Sequence, residues 1–213
     1  MKYKYIIWDF NGTILNDVNV GIKSVNTLLE KRKLPLINNV GEYHKVFDFP
    51  IIGYYERIGF DFEKESYYDV AIEWVKEYLK NVTGAKLFPG ILECIKNFRK
   101  LNLKQMILSA TEINMLKTQL QNLKIIGYFD EILGLDNINA YSKIDIALNL
   151  LQKIDPAETI LIGDTTHDYE TAMKMGIDCV LIANGHQSEC ALLDCGVPVL
   201  KTVKDLDSFI MRL

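Results

Sequence analysis

The chain has 213 residues, of which 49% are hydrophobic, so it can form one large domain or a core with a smaller insertion. Charged residues make up 24% of the chain and the net charge is −4, which excludes the clustered basic surface of a typical nucleic-acid-binding protein. No run approaches about 18 apolar residues and no secretory signal precedes the first strand, so we predict no membrane contact and a cytoplasmic location. Four cysteines without metal-ligand spacing fit a reducing compartment, namely Cys94, Cys179, Cys190 and Cys195.

Short apolar runs typical of buried strands occur four times along the chain. They cover residues 5–10, 105–109, 159–163 and 179–183. Helical patterns lie between the later runs, and residues 89–101 and 144–151 each place apolar side chains on one helical face. This alternation predicts an α/β fold with a doubly wound parallel sheet.

The segment between the first two predicted strands departs from this alternation. Residues 18–29 and 67–78 show apolar side chains at helical spacing, and no convincing strand lies between them. We therefore expect an inserted all-helical domain at residues 16–86. The α/β core domain would then consist of residues 1–15 and 87–213.

The first predicted strand leads directly into Asp9, and the chain then turns through Asn11, Gly12 and Thr13. An open parallel sheet presents its reactive groups at the carboxyl ends of its strands, so Asp9 is a candidate nucleophile. An Asp at a strand end is also a common turn former or helix cap, and this position alone does not separate the two interpretations.

A second group of carboxylates follows the strand predicted at residues 159–163. Asp164 comes directly after it, and Asp168 opens the next helix, where it is also a candidate N-cap. Carboxylates gathered at one sheet edge repel one another unless a cation neutralises them, and Mg²⁺ prefers such oxygen ligands. We therefore predict a Mg²⁺ site with Asp9 and Asp164 as ligands and Asp168 as a capping or supporting residue.

Two further segments are candidates for binding an anion. The strand at residues 105–109 ends at Ser109 and is followed by Ala110, so a hydroxyl and backbone N–H groups precede the next helix. Lys143 lies in the first turn of a helix, where a cation opposes the helix dipole, which favours a partner anion outside the helix. Simpler interpretations are a helix cap for Ser109 and a solvated surface side chain for Lys143.

Taken in order, these segments resemble the four motifs of the haloacid dehalogenase superfamily, most closely its phosphoglycolate-phosphatase-like branch. The matching residues are Asp9-x-Asn11-Gly12-Thr13, Ser109, Lys143 and Gly163-Asp164-x-x-x-Asp168. The resemblance covers nearly the whole chain, and the insertion takes the position of the family's helical cap. It implies a Rossmann-like core, a mobile cap and Mg²⁺-dependent phosphoryl transfer through an aspartyl-phosphate.

The resemblance also implies a role for each matching residue. Asp9 would be the nucleophile and a metal ligand, with Asp164 as the second carboxylate on the metal and the backbone carbonyl of Asn11 as a further ligand. The phosphoryl group would be held by Asn11, Gly12, Ser109, Ala110 and Lys143. Asp168 would support the metal site and Lys143.

Asn11 departs from the family's pattern. Most phosphatases of the superfamily have a second Asp at this position, which protonates the leaving oxygen and then activates water. An amide cannot transfer a proton near neutral pH, and general acid–base catalysis is worth about 10²–10⁴-fold. Replacing Asn11 by Asp is therefore expected to raise the turnover of unactivated phosphate esters.

Three functions are consistent with this departure. The leading one is a phosphatase that acts on a small phosphomonoester, with His44 or His167 as a candidate proton carrier. The second is a metal- and phosphate-binding or regulatory protein with low turnover. The third is the non-phosphate chemistry of the superfamily's dehalogenases or phosphonatases, which also lack the second Asp; dehalogenases use no metal, and no lysine stands out for a phosphonatase Schiff base.

The inserted domain is the expected site of substrate selection. Residues 43–50 and 54–57 combine aromatic side chains with Lys45 and Arg57, which are candidates for lining the entrance, although aromatic residues also pack helices together. We predict a small phosphorylated metabolite as the partner, no nucleic acid, and a monomer or homodimer.

Overall fold

The computed structural model describes residues 2–138 and 142–212. The strands are β1 (Tyr5–Trp8), β2 (Leu15–Asn16), β3 (Lys86–Leu87), β4 (Lys104–Glu112), β5 (Glu131–Leu135), β6 (Thr159–Gly163), β7 (Asp178–Ile182) and β8 (Val199–Leu200). Six of them form a parallel sheet in the order β5-β4-β1-β6-β7-β8. The predicted α/β fold with a parallel sheet is confirmed.

The helices are α1 (Val18–Lys31), α2 (Val40–Val46), α3 (Ile51–Arg57), α4 (Tyr67–Asn81), α5 (Ile91–Lys100), α6 (Ile113–Asn122), α7 (Ile144–Leu150), α8 (Thr166–Met175), α9 (Glu189–Leu193) and α10 (Leu206–Arg212). Across residues 2–138 and 142–212, none of them has both the length and the apolar character that crossing a membrane requires.

Strand β1 lies at the centre of the sheet because its side chains are apolar on both faces. Ile6 and Trp8 pack with α5, α6 and α10 on one side, whereas Ile7 packs with α7 and α8 on the other. All three side chains are fully buried. Helices therefore cover both faces, as a parallel sheet requires, and the carboxyl ends of β1, β4 and β6 are left open at one edge.

Helices α1–α4 form a separate apolar cluster above that edge. Its buried members include Val25, Leu28, Tyr55 and Val70. The chain leaves the core through β2 and returns through β3, and these strands pair with each other as an antiparallel ribbon. We call residues 16–86 the cap. The boundaries expected from the sequence stay a prediction, which this ribbon supports.

The cap rests directly on the carboxyl edge of the sheet. The Tyr43 hydroxyl and His186 Nδ1 are 2.8 Å apart, and His44 Nε2 lies 3.0 Å from the carbonyl oxygen of Gly185. The ring of Phe49 stacks on that of His167 with 4.6 Å between centroids. These contacts hold the cap closed over the end of β1.

Candidate active site

Asp9 directly follows β1, and its position is fixed by the sheet. Its backbone N–H donates to the carbonyl of Ile162 at 2.8 Å, which continues the pairing of β1 with β6. The side chain is nearly buried and lines the cavity between core and cap. One carboxylate oxygen accepts a hydrogen bond from Lys143, and no hydrogen bond reaches the other oxygen from the described part of the chain. The second oxygen is thus available for chemistry.

Lys143 reaches the site from the residue before α7 and is 2% exposed, so the surface interpretation is wrong. Its ammonium donates to Asp9, to Asp168 Oδ1 at 2.6 Å and to the carbonyl of Leu108 at 3.0 Å. Burial by itself lowers the pKa of Lys143, but the carboxylates of Asp168 and Asp9 outweigh it and raise this pKa. Lys143 therefore remains a cation beneath Asp9.

Asp168 both caps α8 and pairs with Lys143. Its Oδ2 accepts from the backbone N–H of Thr165 at 3.0 Å and of Asp164 at 3.1 Å, while Thr165 caps the helix reciprocally. Burial raises the pKa of this carboxyl, and Lys143 and the hydrogen bonds more than offset that effect, so its pKa lies below the ordinary value. Asp168 thus orients Lys143 and the loop that carries Asp164.

Asp164 is fully buried beneath the loop that follows Asp9. Its Oδ1 accepts from the Thr13 hydroxyl and its Oδ2 from the His186 N–H, both at 2.7 Å. Gly12 has φ +75°, and a Cβ there would lie 2.2 Å from Asp164 Oδ2. Glycine is required at position 12 because any side chain would occupy the place of the carboxylate.

The three carboxylates fit a divalent cation. Asp9, Asp164 and Asp168 each place one oxygen within 4.8 Å of the others. Burial, only partly offset by Lys143, raises the pKa of Asp9 well above its ordinary value. Burial and the charge of Asp168 raise the pKa of Asp164 to about 6 against the opposing charge of His186. When all three are ionised, Lys143 leaves an excess of two negative charges. That excess equals the charge of one Mg²⁺, which prefers oxygen ligands.

The predicted phosphate-binding residues are only partly brought together. Ser109 and Ala110 line the cavity beside Asp9, and Ser109 Oγ accepts the backbone N–H of Thr111 at 3.1 Å. Gly12 does not line it: its N–H donates to Asp17 Oδ1 at 2.9 Å and to the Leu15 carbonyl at 3.0 Å. The backbone N–H of Gly12 is therefore used within its own loop rather than offered to a phosphate.

Asn11 is held by three neighbours. Its Nδ2 donates to Asp17 Oδ2 at 2.7 Å and to the Tyr78 hydroxyl at 2.9 Å, and its Oδ1 accepts from the Thr111 hydroxyl at 2.7 Å. The Tyr78 hydroxyl itself donates to Asp17 Oδ2 at 2.7 Å. The amide thus joins the core to α4 of the cap, with both its donor and acceptor atoms in use.

Asp17 and His186 form a buried pair that the sequence did not reveal. His186 Nε2 lies 3.3 Å from Asp17 Oδ1. Burial lowers the pKa of His186, but Asp17 and Asp164 reverse this effect and raise it to about 9. The same pairing overcomes the effect of burial on Asp17 and lowers its pKa. At neutral pH the site therefore contains an imidazolium–carboxylate pair next to Asn11.

The two histidines considered as proton carriers lie in different places. His167 is buried beneath Phe49 and lines the cavity. Burial and the charge of Lys143 lower its pKa, so the ring is neutral. His44 contacts Gly185 and does not line the cavity.

Comparison with known proteins identifies the family. A family model described as haloacid dehalogenase-like hydrolase matches residues 6–182. The chain belongs to this family. The resemblance drawn from the four short motifs is thereby confirmed, and the protein is classed as a hydrolase. A comparison with proteins of curated function gives no match.

Solved structures with the same fold include several haloacid dehalogenase-like proteins. A predicted phosphatase from Clostridium acetobutylicum is 22% identical over 100% of both chains, with a TM-score of 0.81. A haloacid dehalogenase-like hydrolase from Streptococcus pneumoniae is 21% identical over 98% of each chain, with a TM-score of 0.84. A predicted phosphoglycolate phosphatase from Haemophilus somnus is 16% identical over 99% of each chain, with a TM-score of 0.78. These identities establish the shared fold alone.

The family's motifs account for only part of what surrounds Asp9. Asp9, Lys143, Asp164 and Asp168 form the charged cluster, and Ser109 lies at its side. The second set of polar residues comes from outside the motifs and comprises Asp17, Tyr43, Tyr78, Thr111 and His186. Asp17, Tyr78 and Thr111 of this set hydrogen-bond to Asn11, the one motif position at which the chain differs from most phosphatases of the family.

Proposed function

We propose that the protein is a Mg²⁺-dependent phosphomonoester hydrolase that uses Asp9 as its nucleophile. The observation that carries this proposal is the excess negative charge of the cluster formed by Asp9, Asp164, Asp168 and Lys143 at the open edge of the sheet. Buried carboxylates without matching cations are costly, so the cluster is suited to binding a divalent metal ion, which in turn would attract a phosphate. A cytoplasmic location, a small phosphorylated metabolite as substrate and a monomeric or homodimeric state stay predictions.

In the proposed reaction Asp9 would attack phosphorus in line with the leaving oxygen. Asp9 lines the cavity, one of its carboxylate oxygens accepts a hydrogen bond from Lys143, and the other would form the bond to phosphorus. As the new P–O bond forms, the bond to the leaving oxygen breaks and its electron pair departs with that oxygen. Water then attacks phosphorus, and the bond to Asp9 breaks to regenerate the carboxylate.

Asp9, Asp164 and the backbone carbonyl of Asn11 would hold Mg²⁺, which would supply positive charge beside the phosphoryl oxygens. The Ser109 hydroxyl can donate to one of those oxygens. All three Lys143 donors are already engaged, so this residue contributes charge and orientation rather than a free hydrogen bond. Closure of the cap excludes bulk water and strengthens each of these interactions.

Trapping the phosphoryl-transfer geometry tests the proposal. We expect beryllium fluoride with Mg²⁺ to bind at Asp9 and to give a protein-bound ¹⁹F NMR signal, because this anion mimics a phosphoryl group on a carboxylate. Asp9→Asn should abolish the signal, and the exposed substitution Asp194→Asn should preserve it. No bound signal in the wild type would contradict phosphoryl transfer.

The engaged amide of Asn11 favours a second candidate, a metal- and phosphate-binding protein with low turnover. Such a protein would bind beryllium fluoride at Asp9 yet hydrolyse no phosphate ester above background. Acetyl phosphate separates the two functions, because its leaving group is a carboxylate that departs without protonation. Mg²⁺-dependent hydrolysis of acetyl phosphate that is lost in Asp9→Asn supports the phosphatase.

A further inference from the structure

The cavity above Asp9 extends upward into the cap and becomes apolar. Its upper part is lined by Phe47, Ile51, Tyr54, Tyr55, Ala71 and Trp74, which we call the cap wall. A leaving group attached to a phosphoryl at Asp9 would project toward this wall, because the core residues occupy the opposite side. The chemistry of the wall therefore selects the leaving group.

The size of the cavity limits the leaving group to about one ring. Its volume is about 160 Å³. An apolar protein cavity of roughly 150 Å³ binds one benzene molecule. Part of this volume lies beside Asp9, Ser109 and Lys143, where the phosphoryl group would bind, so the remainder suits a leaving group of about one ring with a small substituent.

The charges around the cavity disfavour a carboxylate on the leaving group. Of the described residues that line it, Lys143 and His186 are the cations, and each is already paired with a carboxylate. Lys45 and Arg57, the cations expected at the entrance, are exposed and line no part of it. Glu112 adds a negative charge at the lining. A second anionic group would be buried there without a counterion, at high cost.

Two neutral hydroxyl groups belong to the cap wall. Tyr54 and Tyr55 are 4% and 3% exposed, and neither hydroxyl has a hydrogen-bond partner within residues 2–138 and 142–212. Both hydroxyl oxygens keep some accessible surface, since neither is among the fully buried unpaired atoms of the described residues, and each is open to a hydrogen bond. Their lack of partners in a ligand-sized cavity suits an uncharged ring that carries a small polar substituent.

Asn11 gives a second reason, independent of the cavity lining, to expect a leaving group that departs without protonation. Its amide cannot protonate the departing oxygen, and its atoms are engaged with Asp17, Tyr78 and Thr111. A phenol has a pKa of about 10, as in tyrosine, so a phenolate departs with much less need for protonation than an alkoxide does. The missing acid and the aromatic cap wall thus favour the same kind of leaving group.

We propose that the substrate class is a single-ring aryl phosphate whose ring carries no charged group. This inference rests on the proposed phosphatase function and narrows its substrate. In the first displacement an oxygen of Asp9 bonds to phosphorus, the P–O bond to the ring breaks, and the phenolate leaves with the electron pair and takes a proton from solvent. Water then releases inorganic phosphate from Asp9.

A matched pair of substrates tests the inference with the wild-type protein and Mg²⁺. The pair is 4-methylphenyl phosphate and 4-carboxyphenyl phosphate, which differ only in the para substituent, neutral in the first and anionic in the second. The carboxylate makes the phenol the better leaving group, so intrinsic reactivity favours the second compound. We expect kcat/KM to favour the methyl compound by about 100-fold because the cavity offers the carboxylate no free cation. Phosphoglycolate should be at least as poor as the carboxyphenyl compound.

Acetyl phosphate separates failure of this inference from failure of the proposed function. Hydrolysis of acetyl phosphate together with equal or faster turnover of 4-carboxyphenyl phosphate or phosphoglycolate overturns the aryl phosphate inference and leaves the phosphatase in place. No turnover of acetyl phosphate, with no beryllium fluoride bound at Asp9, overturns both.

Ala71→Phe tests whether the cap wall is responsible. The added ring fills part of the cavity at the cap wall, so kcat/KM for 4-methylphenyl phosphate should fall at least about 10-fold more than kcat/KM for acetyl phosphate, whose leaving group is much smaller. Ile72→Phe is the matched control, because Ile72 follows on the same helix and is 43% exposed. Equal effects on both substrates in Ala71→Phe, or unchanged aryl phosphate turnover in a folded variant, would count against the cap wall.

Discussion

At the scale of single residues, the amide of Asn11 makes a hydrogen bond that an Asp at the same position could not make. It donates to Asp17 Oδ2 at 2.7 Å, which a carboxylate at the same position cannot do. An Asp at position 11 would place two carboxylates in contact within a part-buried site. The motif alone predicts that Asn11→Asp restores a proton carrier, and the structure adds that Asp17 has to change with it.

We predict that Asn11→Asp alone lowers the free energy of unfolding at pH 7 by roughly 2 kcal/mol, because like charges are forced together away from water. Exchanging the two groups in Asn11→Asp/Asp17→Asn restores a carboxyl–amide contact and should recover part of that loss, because it also takes the carboxylate of Asp17 away from His186. The exchanged variant should hydrolyse an unactivated alkyl phosphate up to about 100-fold faster than the wild type.

Urea unfolding and steady-state kinetics with phenethyl phosphate measure these two effects. Asp17→Asn alone is the control, since it changes the pair without supplying an acid at position 11. Equal stability of Asn11→Asp and the wild type would show that Asp17 does not oppose a carboxylate there. An unchanged rate in the exchanged variant would show that position 11 is not limiting.

His186 makes the stability of the metal-free protein depend on pH. Its pKa is raised to about 9 in the folded state, against about 6.5 when unfolded. The stability it contributes is fully present below pH 6.5 and is lost as the pH rises through 9. We predict that the free energy of unfolding in chelator falls by about 3 kcal/mol between pH 6.5 and 9. His186→Gln should flatten the profile in this window, and an unchanged slope would contradict the assignment.

The charged cluster was predictable because local patterns mark its members. Asp9 and Asp164 each follow an apolar run that ends at a sheet edge, and Lys143 stands out as a cation at a helix start. Asp17 and His186 carry no such mark, since they are 169 positions apart and meet only in the folded structure. The sequence gives one indirect sign of this pair, namely that Asn11 stands where most phosphatases of the family have Asp.

At the scale of secondary structure elements, α4 of the cap places the Tyr78 hydroxyl against Asn11 and Asp17. The Tyr78 hydroxyl donates to Asp17 and accepts from Asn11. We predict that Tyr78→Phe lowers the free energy of unfolding by about 1–3 kcal/mol, because Asp17 and Asn11 each lose a buried partner. The KM for an aryl phosphate should rise, since the cap is held less firmly in its closed position.

Tyr68→Phe on the same helix is the matched control for this prediction, because Tyr68 is 56% exposed. Thermal unfolding and steady-state kinetics measure both variants. If Tyr78→Phe leaves both stability and KM unchanged, the hydroxyl does not hold the cap in place.

The strands differ in how far the sequence predicts them. The predicted runs at residues 105–109 and 159–163 correspond to β4 and β6, where buried apolar side chains point to both faces. Strand β5 was missed because it lies at the sheet edge, is only partly buried and contains Gly134. Strands β2, β3 and β8 have two residues each, too few for a period-two pattern.

At the scale of the whole molecule, metal binding and protonation compete for the same carboxylates. Burial raises the pKa of Asp164 to about 6, so this group is largely protonated in the metal-free protein at pH 5 and ionised at pH 7.5. We predict that the apparent affinity for Mg²⁺ falls about tenfold for each pH unit below 6, because a bound proton has to leave.

Isothermal titration calorimetry at pH 5 and 7.5 measures this dependence without any substrate. Asp164→Asn should abolish Mg²⁺ binding at both pH values, and Asp194→Asn should leave both affinities unchanged. Equal affinity of the wild type at the two pH values would contradict the role given to Asp164.

The short ribbon formed by β2 and β3 affects how such a protein can acquire a new substrate preference. Leu15 pairs with Leu87 and Asn16 with Lys86, so the two ends of the insertion are held side by side. Whatever lies between those ends leaves their separation unchanged, and the cost of closing a loop grows only slowly with its length. A different bundle of helices can therefore replace the cap at this ribbon while the geometry around Asp9 is kept. The exchange would change which leaving groups, and so which phosphate esters, the site accepts.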